Sequence, residues 1–170
     1  MEEWHLGIYL RELEKQCKFL LIAADELESG LTKNEFNHSW YAIQNFLVAA
    51  GNISKILWPP KGGLKKRGEE IRTRLGIKDE SVLNDRSLRN HFEHFDERLD
   101  TWVASSKKHE YVDGFIHKSS AVDEKDAIDR QRNFDSKHWI ITFRGDRYEL
   151  RPIIAAANEL YLKSLDTRRV

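Results

Sequence analysis

The chain has 170 residues, 40% of them hydrophobic and 33% charged, with Lys+Arg and Asp+Glu equal at 28 each. That length suits one domain (1–170) with a core of its own, and an aromatic content of 11% excludes a disordered chain. Balanced charge gives no global drive toward nucleic acid, so any such binding must rest on local patches, and no apolar run reaches the ~20 residues that span a bilayer.

A single cysteine, Cys17, excludes an internal disulfide and suits a reducing compartment. The opening Glu2-Glu3 lacks the basic start and apolar stretch of a secretory signal, so the cytoplasm is the expected location, with no membrane partner.

In chain order, Leu6, Leu10, Leu13, Cys17, Leu20, Ala24, Leu27 and Leu31 recur in steps of three and four, which predicts a long amphipathic helix stopping near Ser29-Gly30. Thr32 and Glu35 have capping-box spacing, with Leu31 and Phe36 placed as a hydrophobic staple, so a second helix is expected to start there. It carries Phe36, Trp40, Ile43, Leu47, Ala50 and Leu57, widened by Phe46, Ile53 and Ile56, until Pro59-Pro60 ends it. His38, Asn45 and Asn52 follow one another every seven residues along its edge, either as a solvated border or as a polar line supporting a site.

Lys61-Gly62-Gly63-Leu64-Lys65-Lys66-Arg67 reads as a basic loop, with Lys65, Lys66 and Arg67 as candidate phosphate contacts, followed by a short helix from Glu69 to Leu75. A third long helix is expected from Asn84 to Ser105, its core face marked by Leu88, Phe92, Phe95, Leu99 and Trp102. An insert of about 107–150 follows. It holds a possible strand at Tyr111–His117, a charged helix at Asp123–Arg132, and a β-hairpin of His138–Phe143 and Arg147–Leu150 joined by Arg144-Gly145-Asp146. Pro152 suits the first turn of a last helix carrying Ile153, Ile154, Ala157, Leu160, Tyr161 and Leu165. The expected fold is mainly α, a four-helix bundle with a β-hairpin inserted before the last helix.

The chemistry concentrates on Arg89-Asn90-His91-Phe92-Glu93-His94. On a helical wheel Arg89, Asn90, Glu93 and His94 turn away from the apolar stripe, and His91 lies at its edge. An imidazole exchanges protons near neutral pH, and a guanidinium fork matches a phosphate. Together they suit RNA cleavage without a metal, in which a base activates the ribose 2′-hydroxyl and the arginine stabilises charge developing on the phosphate. The bland reading is a solvated face with an Arg89–Glu93 ion pair.

These six residues resemble the signature of HEPN domains: Arg, a polar residue that is often Asn, a few more residues, then His. The architectural resemblance covers roughly residues 4–105 and 152–166. It implies a metal-independent endoribonuclease, commonly a toxin or defence effector, working as a homodimer whose two motifs face one cleft. Arg89 would then contact phosphate, Asn90 would support, and His94 would act as general acid and base. Glu93, His91, Asn45 and Asn52 remain supporting candidates. Some members carry a tyrosine two residues after the histidine, which a partner antitoxin modifies; here that position is Asp96, which weighs against such an antitoxin although another regulatory partner stays open. No metal and no cofactor are expected, because the histidines complete no ligand set. The alternative is a non-catalytic bundle of the same type that binds nucleotide, RNA or a protein.

Overall fold

The computed structural model describes residues 1–60, 62–118 and 129–169, with the side chains of 88, 168 and 169 excepted. The chain divides into two compact units: Met1–Arg86 with Pro152–Val170, and Ser87–Arg151.

The first unit is helical. Helix α1 spans Glu3–Lys33 and α2 spans Phe36–Leu57. They form a helical hairpin whose seam buries Leu6, Leu10, Leu13, Cys17, Leu20, Ala24 and Leu27 from α1 and Ile43, Phe46, Leu47, Ile53 and Leu57 from α2. Helix α1 overruns the expected stop at Gly30. Asn34 ends it instead, in the left-handed conformation at φ 58°, with its N–H donating to the carbonyls of Gly30 and Leu31. Gly30 answers a different need. A Cβ there would lie 2.7 Å from Ser39 Oγ of α2, so the absent side chain lets the two helices approach. The expected capping box is also replaced. The Thr32 hydroxyl donates back to the Glu28 carbonyl, α2 starts at Phe36 without a side-chain cap, and Phe36 is exposed, not stapled.

Helix α3 runs Gly62–Leu75, so Lys65, Lys66 and Arg67 stand on a helix and not in a loop. Gly68, Ile71 and Leu75 are its buried stripe. The helix begins this early because its arginines finish α2: Arg67 donates to the carbonyls of Lys55 and Ile56, and Arg72 to that of Leu57. Those carbonyls are the acceptors a helix C-terminus leaves unmet. Gly76 then closes α3 at φ 60°.

Gly68 makes a sharp test of this junction. Alanine normally stabilises a helix over glycine by about 0.5–1 kcal/mol. Here a Cβ would meet the Leu57 carbonyl oxygen at 2.5 Å and the Pro59 ring at 2.6 Å. Gly68→Ala is therefore expected to destabilise by about 1–3 kcal/mol, as overpacking does. Urea denaturation checks the sign; a gain in stability would mean that the junction relaxes freely.

A 3-10 turn at Val82–Asn84 leads to the second unit. The single helix expected from Asn84 to Ser105 is two pieces, α4 (Ser87–Glu93) and α5 (Phe95–Ser105), meeting at His94. Its supposed core face is only half-covered: Phe92, Leu99 and Trp102 are intermediate, Phe95 is 58% exposed, and α5 buries no residue fully. These helices share a unit with a sheet, which starts the unit well before the expected insert boundary at 107.

The sheet has four strands in the order β1 (Phe115–His117), β2 (Arg132–Asp135), β3 (Ile140–Phe143) and β4 (Asp146–Glu149). β1 pairs parallel with β2, and the remaining pairs are antiparallel. Arg144 at φ 49° and Gly145 at φ 97° make the two-residue turn of the β3–β4 hairpin, close to the expected one. Of the charged helix expected over Asp123–Arg132, residues 123–128 lie outside the described part, and Arg132 itself opens β2. Register puts Phe143, Asp146 and Tyr148 on one face of the sheet, and His91 of α4 stacks there, with ring centroids 4.6 Å from Phe143 and 6.2 Å from Tyr148. Phe92 lies under the Arg132 guanidinium, which a paired Asp113 holds. The last helix, α6 (Leu150–Arg169), follows β4 directly and buries Leu150, Ala157, Leu160 and Ser164.

Candidate functional site

Arg89 and Asn90 stand on α4, and His94 occupies the junction between α4 and α5 at φ −103°, ψ 40°. Backbone bonds bridge the junction, His94 N–H to the Asn90 carbonyl at 3.0 Å and Arg98 N–H to the His94 carbonyl at 3.2 Å. Asn90 and His94 are therefore exposed neighbours, one turn apart. The imidazole Nδ1 lies 3.2 Å from Glu97 Oε1, and the His94 side chain is 52% exposed.

Arg89 departs from the open placement the helical wheel implies. Its guanidinium is ion-paired with Glu93 one turn on, and its side chain is only 13% exposed. Such an i, i+4 pair contributes a few tenths of a kcal/mol, an amount that a phosphate competing for the guanidinium readily repays.

His91 belongs to the seam between α4 and the sheet and not to the exposed face. Its Nε2 is 3.8 Å from Asp146 Oδ2, and its Nδ1 is buried without a hydrogen-bond partner. Burial, followed by the Arg98 charge, holds the imidazole below its ordinary pKa; Asp146 opposes this and Arg144 adds to it. Arg98, Arg144 and Asp146 escaped the sequence reading. Arg98 follows His91 by seven residues, a helical repeat, and Arg144 opens the turn that follows Phe143, the ring on which His91 stacks.

Asn45 and Asn52 lie in the first unit. They line a groove of about 560 Å³ between α1 and α2, with Phe19, Ile22, Tyr41 and Val48. Asn52 Nδ2 donates to Gln16 Oε1 at 3.2 Å, Asn45 Nδ2 donates to the Tyr41 carbonyl at 3.1 Å, and His38 pairs with Glu26 at 2.6 Å. Each of the three has a partner within the helical hairpin, and Asn45 is exposed.

The basic cluster splits. Lys65 and Lys66 are exposed, while Arg67 caps α2 and lies 4.9 Å from the Tyr9 ring centroid. If the cluster grips RNA, Lys65→Ala with Lys66→Ala should weaken binding and flatten its salt dependence, by about one unit of slope for each phosphate no longer neutralised. Arg67→Ala should instead lower the melting temperature, because two carbonyls lose their donor. Binding measured at two salt concentrations separates these; unchanged binding in the double lysine variant would make the lysines a solvated surface.

Burial pushes the Cys17 thiol up to about 12, with Glu14 adding to it, so it is a packing residue and not a nucleophile. Among the described residues no group of three His, Cys, Asp or Glu side chains could hold a metal ion, and no helix is long and apolar enough to cross a membrane. Comparison with known protein families, with curated proteins and with solved structures finds no match to this chain.

Proposed function

We propose that the chain is a metal-independent endoribonuclease of HEPN type, acting as a two-fold homodimer in the manner of a toxin or defence effector. The observation that carries this reading is the exposed pair of Asn90 on α4 and His94 at the end of that helix, which also carries Arg89. In the reaction, His94 takes the proton of a ribose 2′-hydroxyl. The oxygen attacks the adjacent phosphorus, the bond to the 5′-oxygen breaks, and that oxygen leaves with the proton that His94 gives back, so that a 2′,3′-cyclic phosphate and a 5′-hydroxyl are formed. Arg89 stabilises the charge that builds on the phosphate oxygens, and Asn90 supports the RNA or His94. The deciding experiment is incubation of the purified protein with total RNA in EDTA beside a His94→Ala control. One observation favours the alternative of a non-catalytic RNA-, nucleotide- or protein-binding bundle: Glu93 already occupies the Arg89 guanidinium.

The dimer rests on the α1–α2 groove. Phe19, Ile22, Tyr41 and Val48 are each more than half exposed there, a patch that association would cover. Light scattering at micromolar concentration is expected to give twice the 20.0 kDa of one chain, and Ile22→Lys with Val48→Lys to give the monomer. A monomeric parent protein would remove the dimer from the proposal.

A further inference from the structure

His94 is the N-cap residue of α5, and Glu97 stands three residues on, in the first turn of that helix. A glutamate at this position commonly reaches back to the backbone N–H of the cap residue. That donor is taken here, because α4 runs into the junction and the His94 N–H donates to the Asn90 carbonyl at 3.0 Å. The Glu97 carboxylate meets the cap side chain instead, with Oε1 3.2 Å from the imidazole Nδ1. A carboxylate only accepts, so the proton of the neutral ring belongs on Nδ1 and the free lone pair on Nε2. Free histidine has the opposite preference, with its proton mostly on Nε2. An acidic first turn also suits the positive end of the α5 dipole, so the helix itself favours a carboxylate there.

We propose that Glu97 is a positioning residue for His94: it holds the Nδ1–H tautomer and leaves Nε2 as the nitrogen that exchanges the proton with RNA. This rests on the nuclease reading and names the atom that works in it. Nε2 takes the 2′-hydroxyl proton, and the imidazolium so formed keeps its Nδ1–H on Glu97. The carboxylate stabilises that cation, and Nε2 then gives the proton to the leaving 5′-oxygen. In the reverse tautomer Nε2 would already carry a proton and could not act as the base. Glu97 itself contacts no reacting atom. RNA lying over the exposed pair displaces water and lowers the local dielectric, which strengthens the interaction beyond its worth in the free protein.

The full chain with isotope-labelled histidine is first studied by NMR without RNA, at a pH where the imidazole is neutral. Couplings between ring nitrogens and ring protons report which nitrogen is protonated, and the His94 signals are those lost in His94→Ala. Nδ1–H is expected in the parent chain and in Glu97→Gln, whose amide oxygen still accepts, and mostly Nε2–H in Glu97→Ala. RNA cleavage is the second measurement. Glu97→Ala should lower kcat by roughly ten-fold without raising KM, far less than the ~10⁴-fold of a buried carboxylate in this role, because Glu97 is solvated. Glu97→Gln should fall between. Asp96→Ala removes a neighbouring charge from the same turn and should change neither tautomer nor kcat. An Nε2–H tautomer in the parent chain would overturn the proposal, as would the parent kcat in Glu97→Ala or an equal loss in Asp96→Ala. The tautomer is read without cleavage, so the two readings fail separately. A chain that holds Nδ1–H through Glu97 and cuts no RNA overturns the nuclease reading, and with it the catalytic use of the pair, but not the tautomer.

Discussion

Replacing His94 with alanine is expected to abolish RNA cleavage and leave the fold intact. Its imidazole is half exposed, and its one side-chain partner, Glu97, is itself solvated. His94 stands at the N-cap of α5 without making a side-chain cap hydrogen bond, so the loss of stability should stay within about 0.5 kcal/mol, as for other surface changes. Removing a general acid and base typically costs about 10²–10⁴-fold in rate. Arg89→Ala should have a comparable effect on rate through lost charge stabilisation, about 10²–10³-fold. Its effect on stability should be larger than that of His94→Ala, near 1 kcal/mol, because the Arg89 side chain is mostly covered and the Arg89–Glu93 ion pair is lost. The two losses should not add, since the residues act in one step. Arg86→Ala is the control: Arg86 and His91 repeat the Arg89 and His94 spacing, but His91 lies against Phe143. Activity should survive EDTA, because imidazole and guanidinium together supply the proton transfer and the charge stabilisation. A folded His94→Ala protein that cuts RNA at the parent rate would sink the nuclease reading and leave the binding one.

The largest expected effect on stability is at Phe46. It is fully buried at the seam of α1 and α2, whereas Val48, two residues on, is 54% exposed. Phe46→Ala removes most of a ring from a packed interior, and the seam is formed by two long helices that cannot collapse onto the gap. The expected cost is about 3–5 kcal/mol. For a chain of this size that corresponds to a drop of roughly 10 °C in melting temperature. Val48→Ala should change stability by no more than about 0.5 kcal/mol. Thermal denaturation followed by circular dichroism compares the two directly; equal effects would mean that the α1–α2 seam is not the core of the first unit.

Those two positions also mark what was legible. Periodicity alone identified the α1 stripe, and Leu6 through Leu27 are all buried as their spacing required, because a helix of this length can hide its apolar side chains only along one line. The β3–β4 hairpin was legible for a local reason as well: Arg144-Gly145-Asp146 between two β-prone runs reads as a turn, which the structure shortens to Arg144-Gly145 with Asp146 already in β4. The Arg89-to-His94 spacing and the Arg89–Glu93 pair are likewise properties of one stretch of chain.

Tertiary structure decided the rest. A start to α3 at Gly62 has no local signal, since its two opening glycines favour a loop. The helix extends because Arg67 and Arg72 reach carbonyls that α2 leaves open. The third apolar stripe was read as a bundle face, yet Phe92 and His91 meet strands that come about forty residues or more later in the chain. A helical wheel cannot say whether an apolar edge will meet another helix or a sheet, because burial depends on the partner and not on the period. For the same reason His91 met Phe143 and Tyr148 only when the pairing of β3 with β4 set the register. Pairwise electrostatics between distant segments is written in no single window of sequence.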